Sequence, residues 1–436
     1  MLLGCSLLAP DDRYFLGGDG AGGGGGGGGS DVELVCIAAP ACAEAASGGP
    51  LVQVSPEQAD MLPALVANAE PNTIFDLAPG TYAISAVISI KAPGVTLQSS
   101  SPAASDVVIE SGAPVAIAIA ADDATLRGFT LRGASESAVL LGGGKDVIVE
   151  RPRLCDVVVE DGGQSFVRST AEGGWVDCGR VEGSSFTLTD ASRGSQCARE
   201  GIVSAVSVAG GRGWVVTDSD ITDFFCAAPS PPVEIADCAA KAVGLTFDLG
   251  SRDTLIERTR FVGVSRAIVL GYTTTPTAPR SYADNPYNDG AIDHFDGILR
   301  NNVIVGHPLC FDTGVELNHA REPSVVHNTV VYLQEVGYSA IDNRYPETKA
   351  TFINNLVRGN VTYRNGAPEQ PAVGMVSVDA LSSFFVDASA ADCHLVATAS
   401  AAIDQGAESD LAGLDIDGEP HSAGRGPDVG ADERAP

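Results

Sequence analysis

Basic residues are scarce in this chain of 436 residues: Lys and Arg number 26 against 56 Asp and Glu, a formal net charge of 26 − 56 = −30. Only four of those cations are Lys. Such a surface is poorly suited to displacing counterions from a phosphate backbone, so we expect no nucleic-acid partner. No run of eighteen apolar residues is present, which predicts no membrane-spanning helix. P-loop, nucleophile-elbow and zincin motifs are also missing.

Aromatic residues are few, at 6% of the chain, whereas hydrophobic residues reach 44%, which suffices for a sizeable core. The apolar residues are mostly Val, Ala, Ile and Leu, mixed with many Gly and Thr, and this composition favours strands over helices. The length permits two or three domains or one elongated repeat protein.

The first residues, Leu2-Leu3-Gly4-Cys5, resemble the lipobox of bacterial lipoproteins, in which the Cys is lipidated after signal cleavage. Only four residues precede Cys5, so the charged and apolar parts of a signal peptide are missing, which a start codon assigned too late would explain. A chance tetrapeptide is the alternative. Residues 17–30 are nearly all Gly and predict a flexible tether. We therefore predict lipidation at Cys5 and an exported protein, in the cell envelope or outer membrane or extracellular, whose lipid is its only membrane contact.

Ten Cys residues are present and none forms a Cys-x-x-Cys pair, which disfavours zinc-site and thioredoxin-like functions. Disulfides would fit an exported protein, and buried thiols are the alternative. Sequence proximity suggests three pairings: Cys36 with Cys42, Cys226 with Cys238 and, more loosely, Cys178 with Cys197.

A short pattern of two apolar residues, a polar corner and a further apolar residue returns along the chain. Its clear copies begin at Thr125, Ile148, Val215, Leu255, Ile298, Val325 and Phe352. The last three starts are 27 residues apart, and the gaps in the middle are longer. A period in the twenties with variable insertions is typical of a solenoid, here a coil of parallel strands stacked turn upon turn.

The corners carry a second regularity, because Asn301, Asn328 and Asn355 recur at intervals of 27. On successive coils they would stack about 4.8 Å apart and hydrogen-bond along the axis. Asn also tolerates the left-handed backbone of a tight corner. The pattern predicts an all-β fold, a right-handed parallel β-helix, in which this ladder is structural.

The start of the coil is predicted to be covered by a short helix. Ser55-Pro56-Glu57-Gln58 is typical of a capping box with Pro at the first helical position, and an apolar face of Met61, Leu62, Leu65 and Val66 follows. Such a helix protects an unpaired strand edge. We predict the following organisation: lipobox 1–16, tether 17–30, N-terminal segment with capping helix 31–74, parallel β-helix 75–382, and irregular C-terminal cap 383–436.

Several phrases of the chain are similar to a bacterial family of exported right-handed parallel β-helix repeat proteins, pectate-lyase-like in fold. The resemblance covers residues 75–433 and is carried by Leu77–Tyr82, Ile88–Leu97, Ala402–Gly406, Asp415–Pro420 and Pro427–Glu433. It implies the fold and leaves the activity open, since many members have no assigned chemistry. Known enzymes of the superfamily cleave acidic polysaccharides, often with Ca²⁺ and an Arg or Lys base.

Candidate site residues come from aligning the strands that begin at Ile268, Val315 and Ile341. Alternation along a strand places Glu316 and Asp342 on one outer face, on adjacent coils, with Asn318 beside Arg344. Two stacked carboxylates repel unless a cation or a proton lies between them. Glu316 and Asp342 are therefore predicted to be Ca²⁺ ligands or a general acid/base pair.

For a uronate lyase, Arg344 or His319 is predicted to be the base. Arg321 is predicted to clamp the substrate, and the remaining substrate-binding candidates are Tyr345, His294 and Asp293. Surface carboxylates are expected on so acidic a chain, so a purely structural role for this face is the alternative. The Asp415-Ile416-Asp417-Gly418 segment matches only the start of a calcium-binding loop and predicts a structural turn.

Two functions remain open at this point. The first is a polysaccharide-degrading enzyme, a uronate lyase or a glycoside hydrolase, that acts in a groove near residues 289–345. The second is a non-catalytic glycan-binding or adhesin-like surface lipoprotein, so the expected partner is a polysaccharide or cell-surface glycan in either case. A net charge of −30 disfavours an anionic polymer unless an Arg cluster or Ca²⁺ reverses the local field. A monomer is expected, because the caps and the anchor do not suit a phage-tail-like trimer.

Overall fold

The computed structural model describes residues 41–42, 48–227, 238–272, 279–287, 292–333, 337–421 and 424–435. Cys5, Cys36 and the predicted tether lie outside these residues. Three long parallel sheets run the length of the molecule, and each coil passes through sheet A, sheet B and sheet C in turn. The predicted right-handed parallel β-helix is confirmed. No helix in the described residues is long and apolar enough to cross a membrane.

Sheet A has fourteen strands: β1 Leu51–Val54, β2 Ile74–Leu77, β5 Thr96–Ser99, β8 Thr125–Arg127, β12 Arg153–Cys155, β16 Arg180–Glu182, β19 Val215–Thr217, β22 Ser251–Arg252, β23 Leu255–Glu257, β26 His294–Phe295, β27 Ile298–Arg300, β30 Ala320–Val326, β33 Lys349–Ile353 and β36 Ala372–Val373. Sheet B has eleven: β3 Gly80–Ile84, β6 Val107–Ser111, β9 Thr130–Arg132, β13 Val158–Glu160, β17 Ser185–Thr187, β20 Asp220–Thr222, β24 Arg260–Val264, β28 Val303–Gly306, β31 Thr329–Tyr332, β34 Leu356–Val357 and β37 Val376–Ser377.

Sheet C has ten strands: β4 Ile88–Ile90, β7 Val115–Ile119, β10 Ser137–Leu141, β14 Ser165–Ser169, β18 Val203–Ala209, β21 Ala242–Asp248, β25 Arg266–Leu270, β29 Thr313–Asn318, β32 Ser339–Arg344 and β35 Val361–Arg364. Two small pairs complete the strands: parallel β11 Ile148–Glu150 with β15 Trp175–Asp177, and antiparallel β38 Phe385–Asp387 with β39 Asp392–Leu395. Two α-helices are described, α1 Leu62–Ala67 and α2 Asp190–Cys197.

The core is a set of apolar columns that run along the coil axis. One column in sheet A consists of residues in register on eight successive coils: Leu126, Leu154, Val181, Val216, Ile256, Leu299, Val325 and Phe352. All are fully buried. Because each side chain packs on its equivalent in the next coil, Val, Leu and Ile fill the narrow interior with few aromatic residues.

In the eight coils from β8 to β34, the corner between sheets A and B contains one residue in the left-handed conformation. Asp156, Asp218, Arg258, Asn301, His327 and Asn354 have φ between 43° and 54° there, and Gly128 and Gly183 serve the same role at 67° and 62°. Asp, Asn and Gly dominate because they adopt this conformation at the lowest cost.

An Asn ladder forms one position after these corners, and it differs by one residue from the sequence-based prediction. Asn302, Asn328 and Asn355 stack, and each amide bonds the next coil: Asn302 Nδ2 to Asn328 Oδ1 at 2.8 Å and Asn328 Nδ2 to Asn355 Oδ1 at 3.0 Å. Asn301 is instead equivalent to the corner residues His327 and Asn354. The residues just before these corners are in register, since Arg300 pairs with Val326 and Val326 with Ile353. The coil from Asn302 to Asn328 therefore has 26 residues, not 27.

The N-terminal cap follows the prediction with one exception. The Ser55 N–H donates to Gln58 Oε1 at 3.0 Å, as the capping box requires, and Leu62 and Val66 of α1 are buried against the first coil. Met61 was predicted to join this face but is 55% exposed, since it lies at the end of the 3₁₀ turn that precedes α1.

The C-terminal cap packs a second apolar cluster against the last coils, with Phe385, Leu395 and Val429 buried in it. Residues 405–421 and 424–435 then lie along the corner side. Asn354 Nδ2 donates to Ala407 O at 2.7 Å, Asn301 Nδ2 to Leu414 O at 2.5 Å, and the Ala431 N–H donates to Thr329 Oγ1 at 2.9 Å. Three successive coils thus bind this segment.

The predicted disulfide pairings are wrong. The described bonds join Cys42 to Cys155, Cys197 to Cys226 and Cys238 to Cys310. Cys178 is also disulfide-bonded. Proximity in sequence misleads here because the solenoid brings corners of different coils together, so that residues 113 apart in the chain meet. Cys393 is a buried free thiol.

The Asn ladder generates a stability prediction. Asn328→Ala removes the amide that bonds both neighbouring coils and leaves buried backbone groups unpaired, so we expect a loss of about 2–4 kcal/mol in the free energy of unfolding. Urea denaturation followed by circular dichroism measures it. Asn360→Ala, at an exposed position, is the matched control and should change this energy by less than about 0.5 kcal/mol. Equal losses in the two variants would show that the ladder adds no stability.

Candidate functional site on the outer face of sheet C

The outer face of sheet C carries two columns of side chains. The first column is in register along seven strands: Arg168, Ser207, Thr246, Val269, Glu316, Asp342 and Thr362. The second column lies two residues further along each strand and includes Asp248, Gly271, Asn318, Arg344 and Arg364. The predicted juxtaposition of Glu316 with Asp342, and of Asn318 with Arg344, is present.

Glu316 and Asp342 are buried ion-pair partners of arginines. Arg344 Nη1 lies 2.9 Å from Glu316 Oε1, and Arg266 Nη1 lies 3.3 Å from Glu316 Oε2. Arg364 Nε contacts both oxygens of Asp342, at 3.0 and 2.9 Å. Burial alone would raise the pKa of Glu316, but Arg266, Asn318 and Arg344 hold it below its usual range.

These contacts do not fit a Ca²⁺ ion held by Glu316 and Asp342. All four carboxylate oxygens already face guanidinium groups, and a bound cation would have to displace them. The repulsion expected between the two stacked carboxylates is relieved by arginines from neighbouring coils. We therefore derive no step through Ca²⁺ at these residues.

His319 and Tyr345 form a stacked pair beside Arg344. Their rings lie 4.0 Å apart, and His319 Nδ1 is 3.0 Å from Glu347 Oε2. His319 Nε2 is buried and has no hydrogen-bond partner among the described residues. Arg344 bonds both Glu316 and, at 3.4 Å, the Tyr345 hydroxyl. The structure thus joins Glu316, Arg344, Tyr345 and His319 in one cluster, in which Glu316 and His319 are buried and Arg344 and Tyr345 are partly exposed.

The other predicted substrate-binding residues are dispersed. His294 is completely buried in β26, where its Nε2 lies 3.0 Å from Thr254 Oγ1, and burial lowers its pKa to about 3, so it is neutral. Arg321 pairs with the residue after His294 in sheet A and lies over the Tyr287 ring at 5.5 Å. Neither reaches the outer face of sheet C. The roles assigned to these residues and to the Glu316 cluster stay predictions.

An open cleft crosses the middle coils of the same face, at β14, β18 and β21. It encloses about 240 Å³ and is lined by Gln164, Ser165, Arg168, Gly201, Ile202, Ser204, Ser207, Thr246, Asp248 and Tyr272. Among the described lining residues, Asp248 is the only carboxylate and Arg168 the only cation. Arg168 is exposed and forms no ion pair with any described residue. A larger cavity of about 440 Å³ at the amino ends of β21 and β25 offers Asp312 but no cation among its described lining residues.

Asp248 ends β21 and lines the cleft. Partial burial raises its pKa to about 7, and the charge of Asp293 contributes to the same shift. No described group donates a hydrogen bond to its carboxylate. A carboxyl group that titrates near neutrality can accept or release a proton at physiological pH.

Gly271 explains how Asp293 reaches this place. A Cβ at Gly271 would lie 1.9 Å from Asn318 O and 3.3 Å from Asp293 Cβ, so the missing side chain leaves room for the Asn318 carbonyl and lets Asp293 pack beside it. Asp293 Oδ2 accepts the Tyr272 N–H at 2.6 Å, while burial raises the Asp293 pKa to about 6. Asp293 Oδ1 and Asn318 Oδ1 are buried without a described donor.

Sequence reasoning missed Asp248, Arg168 and Tyr272. The available signal was the strand Ala242–Asp248, whose alternation places Thr246 and Asp248 on the outer face in line with Glu316 and Asn318. Long insertions around this strand hid the register, because the sheet A copies that begin at Val215 and Leu255 are 40 residues apart.

The Glu316 cluster generates a prediction about stability. Glu316→Ala leaves Arg266 and Arg344 buried without their shared carboxylate, so we expect a loss of about 3–5 kcal/mol in the free energy of unfolding. Urea denaturation measures the loss, and Glu322→Ala, at an exposed position, is the matched control that should remain near the parent value. A fully stable Glu316→Ala protein would contradict the structural role of the cluster.

Comparison with known proteins places this geometry in context. No family model matches the chain, and no curated protein matches its sequence. Among solved structures, pectate lyase Pel9A superposes with a TM-score of 0.56 at 14% identity, covering 89% of this chain and 97% of that chain. A rhamnogalacturonan lyase superposes with a TM-score of 0.52 at 11% identity, covering 78% and 91% of the two chains. At such identities the likeness shows the fold alone: this chain has the pectate-lyase-like parallel β-helix.

Proposed function

We propose that the chain is a polysaccharide-degrading enzyme that cleaves a uronate-containing glycan by β-elimination in the cleft on the outer face of sheet C. One observation carries the proposal: the cleft combines a single carboxyl group with a pKa of about 7, Asp248, and a single exposed guanidinium without a described ion-pair partner, Arg168. The superposed structures are a pectate lyase and a rhamnogalacturonan lyase, which supports a carbohydrate substrate.

The two charged groups have complementary roles in an elimination. Arg168 pairs with the uronate carboxylate of the substrate and so stabilises the negative charge that develops beside C5. Ionised Asp248 accepts the C5 proton, the C–H electron pair becomes the C4–C5 double bond, and the C4–O bond to the leaving sugar breaks. The departing oxygen takes a proton from water. The products are a shortened glycan and a chain that ends in an unsaturated uronate.

The cleft favours elimination over hydrolysis. A glycoside hydrolase of the usual kind places two carboxyl groups on either side of the bond it cleaves, roughly 5–10 Å apart. The described lining of the cleft provides only Asp248, since Asp293 is completely buried behind it. A lyase needs one base and one group that neutralises the substrate carboxylate, and this is the set that the cleft contains.

The net charge of −30 repels an anionic substrate, so such a substrate can bind only where a local positive charge attracts it. Arg168 supplies a positive charge inside the cleft, whereas the other arginines of this face, Arg266, Arg344 and Arg364, are neutralised by Glu316 and Asp342. The substrate carboxylate therefore meets one guanidinium, and binding of a long acidic polymer should weaken at low salt, where repulsion by the rest of the surface is least screened.

A non-catalytic glycan-binding protein is the second candidate. It is favoured by the burial of Glu316 and His319 and by the ion pair of Arg344 with Glu316, which withdraw these three predicted groups from a glycan on the surface. Glycan binding without any product during long incubation would establish this function in place of the lyase.

We also propose that the protein is exported. The three described disulfides and the bonded Cys178 support an oxidising compartment. The lipid anchor at Cys5 remains a proposal that rests on the sequence, and mass spectrometry of the N-terminal peptide from membrane fractions would test it.

Asp248→Asn tests the proton acceptor. We expect kcat/KM to fall by about 10²–10⁴, because an amide cannot accept the C5 proton. In the parent protein kcat/KM should rise with pH through about 7 and level off above it, since the ionised form is the base. Absorbance of the unsaturated uronate measures both, and Asp220→Asn, an exposed carboxylate of sheet B, is the control. Undiminished activity of Asp248→Asn would refute the proposed base.

The same variant has a stability signature. The Asp248 pKa is 3.8 in its ordinary state and about 7 in the folded protein, so ionisation costs folding free energy above pH 7 and the cost fades as pH falls towards 4. Asp248→Asn should therefore be more stable than the parent at pH 8, by on the order of 1–2 kcal/mol, and equal to it near pH 3.5. Thermal unfolding at the two pH values measures the difference, and a variant less stable at pH 8 would exclude the raised pKa.

Arg168→Ala tests the substrate carboxylate contact. We expect kcat/KM for a uronate oligomer to fall by about 10–100-fold, through both KM and kcat, because one charge-assisted hydrogen-bond pair is lost from the bound substrate and from the transition state. Arg168→Lys should recover part of kcat/KM, and Arg132→Ala on sheet B should match the parent. The same kcat/KM for the uronate oligomer in Arg168→Ala and the parent would show that the cleft does not bind uronate at this residue.

A further inference from the structure

Three side chains from three separate segments meet on the surface of the C-terminal cap. His394 lies in β39, Asp417 in the turn after Asp415, and Asp432 near the end of the described chain. One ligand atom from each of these three lies within 4.8 Å of the other two. In the described part of the chain, this is the only group of His, Cys, Asp or Glu side chains that meets that condition. It is remote from the cleft on sheet C and plays no part in the proposed elimination.

Hydrogen bonds from the surrounding backbone hold the segments that carry these three side chains in place. Asp432 is buried, and its Oδ2 accepts the Leu395 N–H at 2.6 Å, which fixes it beneath β39. Asp415 Oδ1 accepts the N–H groups of Asp417, at 3.0 Å, and of Glu419. Its Oδ2 accepts the Glu433 N–H at 3.1 Å. Asp415 therefore ties the turn that carries Asp417 to the segment that carries Asp432.

Both ring nitrogens of His394 face carboxylate oxygens. Nδ1 lies 2.6 Å from Asp392 Oδ1, and Nε2 lies 2.9 Å from Asp417 Oδ2. A neutral imidazole has one N–H, so one of these contacts sets a nitrogen lone pair against a carboxylate oxygen unless a cation lies there. A carboxylate that orients one nitrogen while the other faces further ligands is the usual arrangement around a histidine-bound metal.

We propose that His394 Nε2, Asp417 and Asp432 bind a divalent first-row transition metal, with Zn²⁺ as its representative, and that Asp392 orients the imidazole from behind. One imidazole nitrogen with two carboxylates suits Zn²⁺ or Mn²⁺, whereas Ca²⁺ prefers oxygen ligands alone. His394 and Asp417 are about half exposed, so the ion can enter from solvent and keep water in a remaining position. The site is structural: it joins β39, the 415–418 turn and the last described segment.

Metal binding to the full chain, freed of any histidine tag, tests the proposal. Zn²⁺ is titrated calorimetrically and in competition with a chromophoric chelator, at pH 7.5, and thermal unfolding is recorded with Zn²⁺ and with EDTA. We expect one equivalent of Zn²⁺ bound, a higher Tm with Zn²⁺ than with EDTA, and no competition from millimolar Ca²⁺. Affinity should fall at least about tenfold in His394→Ala and in Asp417→Asn.

The controls separate this site from other effects. Asp410→Asn, an exposed acidic position in the same cap, should bind Zn²⁺ like the parent. Asp417 is more than half exposed, so its variant should fold even if His394→Ala does not. Asp248→Asn should keep full Zn²⁺ affinity, so loss of the proposed lyase activity and loss of metal binding are distinguishable. Absence of a bound equivalent, or unchanged affinity in Asp417→Asn, would overturn the proposal and leave a proton between His394 and Asp417.

Discussion

The left-handed corner between sheets A and B is the constraint on which the rest of the structure depends. From Gly128 to Asn354, one left-handed residue turns the chain there in each coil, and the strand of sheet B starts two residues later. Loops elsewhere in these coils vary in length, but this corner does not, so each of these coils returns to the same place in sheets A and B. The Asn302–Asn328–Asn355 ladder reinforces it with side-chain bonds along the axis, where backbone groups would otherwise be buried and unpaired.

Fixed register has two different results on the outer face of sheet C. Where the columns hold opposite charges, as at Glu316 and Arg344, the side chains neutralise each other, and Arg266 at the start of β25 adds a second ion pair to Glu316. At the coils that precede Glu316, the same columns hold small polar residues. Arg168 and Asp248 lie there on different strands and do not pair, so the cleft between them is open to solvent. Charge that is paired within the sheet stabilises the coil, whereas the separated pair remains accessible to a ligand.

Much of the fold was predictable from the sequence because the spacing of a repeat can be read directly from the residues. The site was less predictable than the fold. The Asn ladder, the capping helix and the pairing of Glu316 with Asp342 follow from periodicity and alternation. A coil of 26 residues shifted the ladder from Asn301 to Asn302, an error that only the strand register reveals. The arginines that neutralise Glu316 and Asp342 come from other coils, as do the disulfide partners of Cys42 and Cys197. Such contacts depend on insertion lengths that periodicity does not encode.

The C-terminal segment, residues 405–421 and 424–435, is bound by Asn301, Thr329 and Asn354, which belong to three successive coils. Its binding surface therefore does not exist until those coils have stacked. Docking of this segment is consequently a late event in the assembly of the coil, and it reports that the preceding turns are complete and aligned. A solenoid can add coils one by one. Here the C-terminal segment can bind only after three coils have stacked in register, which makes the last stage of folding cooperative.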